Sequence, residues 1–416
     1  MARNRPIAFS RITFGQTSTE PHKLADMRPG MCGIGFVLLA GNLCAAASLV
    51  MLTPDDAAKI KAGIEKKSPE LRDFATALRK RADSAMKRGP WSVTSHRPAA
   101  FQLDAHDYYS EGPYFWPDPK RPGKSIRKDG ERNPDRFDDN HRDMGAMAGA
   151  VLELGTAAYF FDDAKYAAKA TEVIRVWFED PATRMTPNLE HGQAVLGEND
   201  GRPTGIIDTN ALIRCVQGMA LLHASGNWPP EHEGRARKWF ADYLNWLMET
   251  KKGIAEGNSG NNHMTWWTAQ VASYAAFLGD GVAKKFTYAK FNNSLLKEFT
   301  ETGAAPKEEA RTNSISYSTF NLDAFSTLCR VAQVDGTDLW HAAPLVKALH
   351  YMAPFVTDPT TWKQQQIGEF KSGGLIFPGL AGTALKDAGL FKLHDSLKRG
   401  DDVWAGLMAA AVVVER

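Results

Sequence analysis

What most constrains the fold of this chain is the rhythm of its interruptions. Segments of helical period come in pairs with short breaks inside each pair and long ones between pairs. Ser68-Pro69-Glu70 opens the first such helix, a polar cap followed by proline in the first turn. Leu71, Phe74, Ala75, Leu78 and Ala82 then share one face. Pairs follow at 142–161 with 163–178, 207–225 with 230–250, 263–278 with 282–300, 317–333 with 338–355, and 379–391 with 401–414. Short joins such as Gly279-Asp280-Gly281 make antiparallel neighbours, so each pair reads as a helical hairpin. Only 371–378 reads as a short strand or turn. The expected fold is all-α, a toroid of about five to six antiparallel helical hairpins.

The long connections are 88–141, 180–206, 251–262, 301–316 and 356–378. When hairpins stack side by side, the connections between them emerge at one end. Long connections inside a compact domain tend to carry function. One rim is therefore expected to gather all five.

Composition narrows the classes. With 43% hydrophobic and 24% charged residues the chain is globular, and a net charge of +2 offers no global attraction to nucleic acid. Met31–Val50 is a charge-free apolar run behind Arg28, ending in Ala45-Ala46-Ala47-Ser48. That is the pattern of a cleaved secretory signal, with a membrane anchor as the competing reading. The expected organisation is an N-terminal extension with signal at 1–47 and a single catalytic domain at 48–416. Such a protein would be periplasmic or secreted, monomeric, and without stable membrane association after cleavage. Cys215 and Cys329 fall in apolar helical patterns, where buried free thiols are the common case. No Cys/His spacing resembles a metal site, and no cofactor is expected.

The richest polar motif is Gly257-Asn258-Ser259-Gly260-Asn261-Asn262-His263-Met264-Thr265-Trp266-Trp267. It reads as a turn running into a helix, with Asn262 as N-cap, His263 at the helix start, and Trp266 and Trp267 as neighbouring aromatic surface. The other connections supply complements. Tyr108, Tyr109 and Trp116 offer stacking surface, and Lys124 and Arg127 lie in a basic run that would attract anions. His191, Gln193 and Arg202 are candidate hydrogen-bonding groups. Arg311 and Tyr317 lie six apart across a helix start, so both can face one rim. An arginine beside a tyrosine hydroxyl favours the phenolate and lowers its pKa. Glu308 and Glu309 are alternative partners for that arginine.

Asn, His, Arg and Tyr together suit β-elimination beside a carboxylate. The C5 proton of a uronic acid is weakly acidic until its carboxylate is neutralised by donors, after which a tyrosine can move the proton. Two other readings compete. A glycoside hydrolase would need two carboxylates, for which Asp138, Asp139 and Glu369 are available. A non-catalytic polysaccharide-binding protein would need neither.

Asn261-Asn262-His263 with Trp266-Trp267, the run Arg202-Pro203-Thr204-Gly205-Ile206-Ile207-Asp208-Thr209, and the Arg311…Tyr317 pair resemble the alginate lyase superfamily. The Ser-Ile-Ser-Tyr-Ser context around Tyr317 is similar to the distant polyuronide-lyase relatives rather than to the periplasmic mannuronate lyases. The resemblance spans about residues 70 to 400 and implies an incomplete (α/α) toroid with a cleft across its rim. It further implies that Asn262 and His263 neutralise the substrate carboxylate with help from Arg311, and that Tyr317 is base and acid. The implied partner is an anionic polysaccharide, alginate or another polyuronide such as glucuronan.

Overall fold

The computed structural model describes residues 49–98 and 103–416. The expected N-terminal extension with signal, 1–47, lies outside them. Fifteen α-helices are present among the described residues. They are α1 (Pro54–Glu65), α2 (Pro69–Ala85), α3 (Asp139–Phe161), α4 (Ala164–Phe178), α5 (Leu212–Ala224), α6 (Pro230–Glu249), α7 (Lys251–Glu256) and α8 (Asn262–Leu278). After these come α9 (Gly281–Asn293), α10 (Pro306–Glu309), α11 (Ser314–Val334), α12 (Ala343–Thr357), α13 (Phe377–Leu385), α14 (Ala388–Ser396) and α15 (Val403–Glu415).

The helices α3, α5, α8, α11 and α13 pack against one another in turn, and α4, α6, α9, α12 and α14 lie outside them. The first group forms an inner layer because it is apolar on nearly every side: α3 and α8 each bury fourteen residues. Their contact can be very close. A Cβ on Gly155 of α3 would sit 2.1 Å from the carbonyl oxygen of Gly218 in α5, and one on Gly218 would sit 2.5 Å from that of Val151. Only glycine permits this backbone-to-backbone crossing. Helix α3 is also long and apolar enough to cross a membrane, but 72% of that stretch is buried inside the molecule, as befits a core helix.

The two ends of the described chain meet on α11. Arg330, buried there, donates to the Met51 carbonyl at 2.9 Å and to Asp56 of α1 at 2.8 Å, and lies 2.6 Å from Glu415 of α15. Since α15 also packs on α2 and α13, and α2 on α3, the circuit of helices closes.

The helical hairpins fall where the period places them, with local differences. Helix α1 was not anticipated; Thr53 and Asp56 form a reciprocal capping box in front of it. The stretch expected to start a helix at 207 is a 3-10 segment, Pro203–Ala211, and α5 begins only at Leu212. Residues 379–391 divide into α13 and α14 because Lys386 turns to a φ of +53°. No strand forms at 371–378. Four short strands occur instead in the long connections: β1 (Tyr109–Glu111), β2 (Phe115–Pro117), β3 (Ser125–Arg127) and β4 (His191–Ala194). Strands β1 and β4 pair in parallel and β2 with β3 antiparallel, so the first two long connections are pinned together. Cys215 and Cys329 are buried free thiols.

Candidate active site

All five long connections reach one cleft of about 1050 Å³. The first contributes Tyr114, Phe115, Arg127, Arg132 and Arg136, and the second Gln193 and Arg202. The third ends in Asn261, Asn262 and His263. The fourth brings Arg311 and leads into Tyr317, and the fifth supplies Gly368, Glu369 and Lys371.

The floor is the first turn of α8. Its N-cap is Asn261, whose side chain accepts from the His263 N–H at 3.1 Å, and Asn262 is the first helical residue rather than the cap. Asn262 is fully buried, and both its backbone N–H and its side-chain Nδ2 donate to Glu308 of α10, each at 2.7 Å. The Asn262 Oδ1 has no partner. Burial pushes the Glu308 carboxyl above the usual carboxylate range, opposed by those donors and by the charges of Arg311 and His263. Beside it, His263 Nδ1 bonds to the buried Glu256 Oε1 at 2.6 Å. A carboxylate there selects the tautomer protonated at Nδ1 and leaves Nε2 as the ring's other polar end.

Arg311 is held by Asp129 rather than by Glu308 or Glu309. Its Nε and Nη2 reach the Asp129 oxygens at 2.8–3.1 Å, and the Thr312 N–H donates to the same carboxylate at 3.2 Å. Burial raises the Asp129 carboxyl, but these bonds outweigh it and hold it at about 2. The same guanidinium donates from Nη2 to the Tyr317 hydroxyl at 2.8 Å and lies 3.7 Å from the centre of its ring. The Tyr114 hydroxyl is 2.5 Å from that of Tyr317. The phenol is not acidified on balance: burial and the neighbouring Tyr114 push Tyr317 up, outweighing the pull of Arg311. The expectation of a lowered pKa is corrected by the degree of enclosure.

A second wall rests on Asp208, which accepts from Tyr108 Oη at 2.9 Å, Ser110 Oγ at 2.6 Å and Gln193 Nε2 at 2.8 Å. Arg202 donates from Nε to the Gln193 carbonyl at 2.8 Å and lies over the Phe115 ring at 4.7 Å. Here β4 crosses the 3-10 segment so tightly that a Cβ on Gly205 would lie 2.3 Å from Gly192 backbone.

Of the residues expected at the site, Asn262, His263, Arg311, Tyr317, Arg127, Gln193 and Arg202 line this cleft, and the others do not. Tyr108 and Tyr109 are buried; the first supports Asp208 and the second bonds to Glu111. Trp116 donates to the Glu131 carbonyl with Lys128 over its face. Lys124 donates to the Gly197 carbonyl and so ties the first connection to the second, while His191 Nδ1 bonds to the Asp200 carbonyl within the second. Trp266 packs on Phe320, and Trp267 is buried against Phe286 and Lys290. The placements in the connections share one cause: aromatic and amphipathic side chains there first serve to pack the connection down, while Trp266 and Trp267 pack as side chains of α8. Tyr114 was not among the residues expected at the site, though it sits in the turn Pro113-Tyr114 between β1 and β2, where a side chain is presented at a loop tip. Among the described residues no cluster of His, Cys, Asp and Glu could hold a metal ion.

The family model described as alginate lyase matches residues 92–362. The crystal structure of an alginate lyase from Bacteroides ovatus superposes with a TM-score of 0.80 at 31% identity, over 88% of this chain and 99% of that one. Alginate lyase A1-III from Sphingomonas species A1 shares the fold, with a TM-score of 0.52 at 15% identity over 77% of this chain and 88% of that one. A variant of A1-III complexed with a tetrasaccharide gives a TM-score of 0.52 at 14% identity, over 76% and 87%. Comparison with curated proteins finds no match.

Proposed function

The chain belongs to the alginate lyase family and is a polysaccharide lyase, and from that premise we propose that it cleaves a 1,4-linked polyuronide, alginate foremost, with Tyr317 moving the proton. Asn262, His263 and Arg311 hold the uronate carboxylate, so that negative charge developing toward an enediolate meets fixed donors. Tyr317 takes the C5 proton. The C5–H electrons form the C4–C5 double bond, the C4–O4 bond breaks with its pair going to O4, and O4 receives a proton from the same hydroxyl. The observation that carries this reading is the Arg311–Tyr317 contact of 2.8 Å in the cleft that His263 and Asn262 also line. The apolar run Met31–Val50 supports export to the compartment where such polymers are met.

In mannuronate and glucuronate the C5 proton and O4 lie on one face of the sugar, and one hydroxyl can serve both. In guluronate they lie on opposite faces, which would make His263 the base and Tyr317 the acid. The proton held on Tyr317 and the Nε2 end of His263 favour that division as a second reading. A digest of polymannuronate, polyguluronate and glucuronan, followed by the ultraviolet absorbance of the unsaturated product, tests both. Absorbance rising with at least one polymer is expected. Folded protein that produces none from any of them would overturn the proposal, and new reducing ends without absorbance would point to hydrolysis.

A further inference from the structure

Asn262 is asked to offer a donor to a carboxylate, yet its amide hydrogens are turned the other way. Nδ2 faces Glu308 at 2.7 Å, and the end left without a partner is Oδ1, an acceptor, on a residue lining the cleft. An amide oxygen can only accept, so in this orientation the free end of Asn262 offers no donor to the carboxylate it is meant to hold. Which end of an asparagine amide is nitrogen follows from the hydrogen-bond network, and the network here depends on whether Glu308 carries a proton.

We propose that Glu308 is a positioning residue that works in its protonated form, donating to Asn262 Oδ1 and thereby turning Nδ2 toward the substrate. Both short contacts survive the change. The Asn262 backbone N–H still donates to Glu308 Oε1, now a carboxylic carbonyl, and the proton on Oε2 bonds to Asn262 Oδ1 in place of the present Nδ2 bond. The buried acceptor gains a partner, and the amide hydrogens left over are those the substrate carboxylate would satisfy.

The surroundings of Glu308 suit a neutral acid. It is almost wholly buried, and burial favours the uncharged form. The groups facing it are Asn262 and His263 of α8, Arg311 beyond its own helix, and Glu298, whose charge opposes a second carboxylate nearby. Arg311 favours the ionised form, but its bidentate bond to Asp129 already gives it a carboxylate.

The proposal rests on the lyase reading, and its test is made with whichever polymer of the digest panel the wild-type protein cleaves. Absence of wild-type cleavage would count against the lyase reading alone. Glutamine reproduces the protonated acid, with one oxygen to accept and one N–H to donate. Glu308→Gln is therefore expected to keep kcat/KM within about tenfold of wild type, whereas Glu308→Ala loses about 100-fold or more, the scale of removing one preorganised donor. In a Tyr317→Phe background, calorimetric titration with oligomers of the same polymer should show binding kept by Glu308→Gln and weakened by Glu308→Ala. Circular dichroism melts establish that each variant is folded, and if the alanine variant is not, the glutamine variant decides by itself. A folded Glu308→Gln protein that loses 100-fold or more would overturn the proposal, since the ionised carboxylate would then be needed. Equal activity of the two variants would overturn it as well.

Discussion

At the scale of single residues, the site depends on which protons are held and which can move. Tyr317 keeps its proton because enclosure and the Tyr114 hydroxyl outweigh Arg311. As the base it acts only in its ionised fraction. Its kcat/KM should then climb with pH, by about tenfold per unit while pH lies below the tyrosine pKa. With Tyr317 as the acid instead, activity needs its protonated form, so the profile shows no such climb toward the tyrosine pKa and falls when the phenol ionises. A pH–rate profile on each uronate separates the two. Tyr317→Phe should lower kcat by about 1000-fold, in the range of lost general acid–base catalysis, with oligomer affinity little changed by calorimetry. That the four residues expected to act would share one cleft was legible because each lies in a local pattern: the Asn-Asn-His turn, and an Arg and Tyr six apart. Their partners were not. Glu308 reaches Asn262 from 46 residues away, Asp129 reaches Arg311 from 182, and Tyr114 reaches Tyr317 from 203. No periodicity predicts pairings at such separations. Glu308 was even in view as a partner for the wrong residue.

At the scale of elements, helix period and loop length predicted nearly every hairpin because burial of one apolar face dominates both. The 3-10 segment before α5 and the paired strands in the connections escaped, since each is imposed by a tertiary contact. β4 is where it is because Gly192 lets it cross Gly205. The closest approach in the inner layer gives a sharp test. A methyl group on Gly218 would fall against the Val151 and Leu152 backbone, which cannot move aside as a side chain could. Gly218→Ala should therefore destabilise the protein by about 2 kcal/mol or more, as overpacking does, measured by urea denaturation. Gly145→Ala in α3, where a Cβ would meet nothing, is the matched control and should be neutral or mildly stabilising.

At the scale of the molecule, the helical layers provide a frame and the five connections provide the cleft. Loop lengths foretold that division, though not how the frame closes. Closure rests on Arg330, buried in α11 between Asp56 near one end of the described chain and Glu415 near the other. Asp56→Ala would leave a buried cation short of a partner and should cost about 3–5 kcal/mol, seen as a lowered denaturation midpoint. The arrangement also bears on how the protein comes apart. An open stack of helical hairpins can fray from its outermost repeat, each step costing only one interface. Here neither terminal helix can peel away without stranding the guanidinium that the other also uses. Amide hydrogens of α1 and α15 should thus exchange at the rate of global unfolding, and the whole ring should melt in one transition.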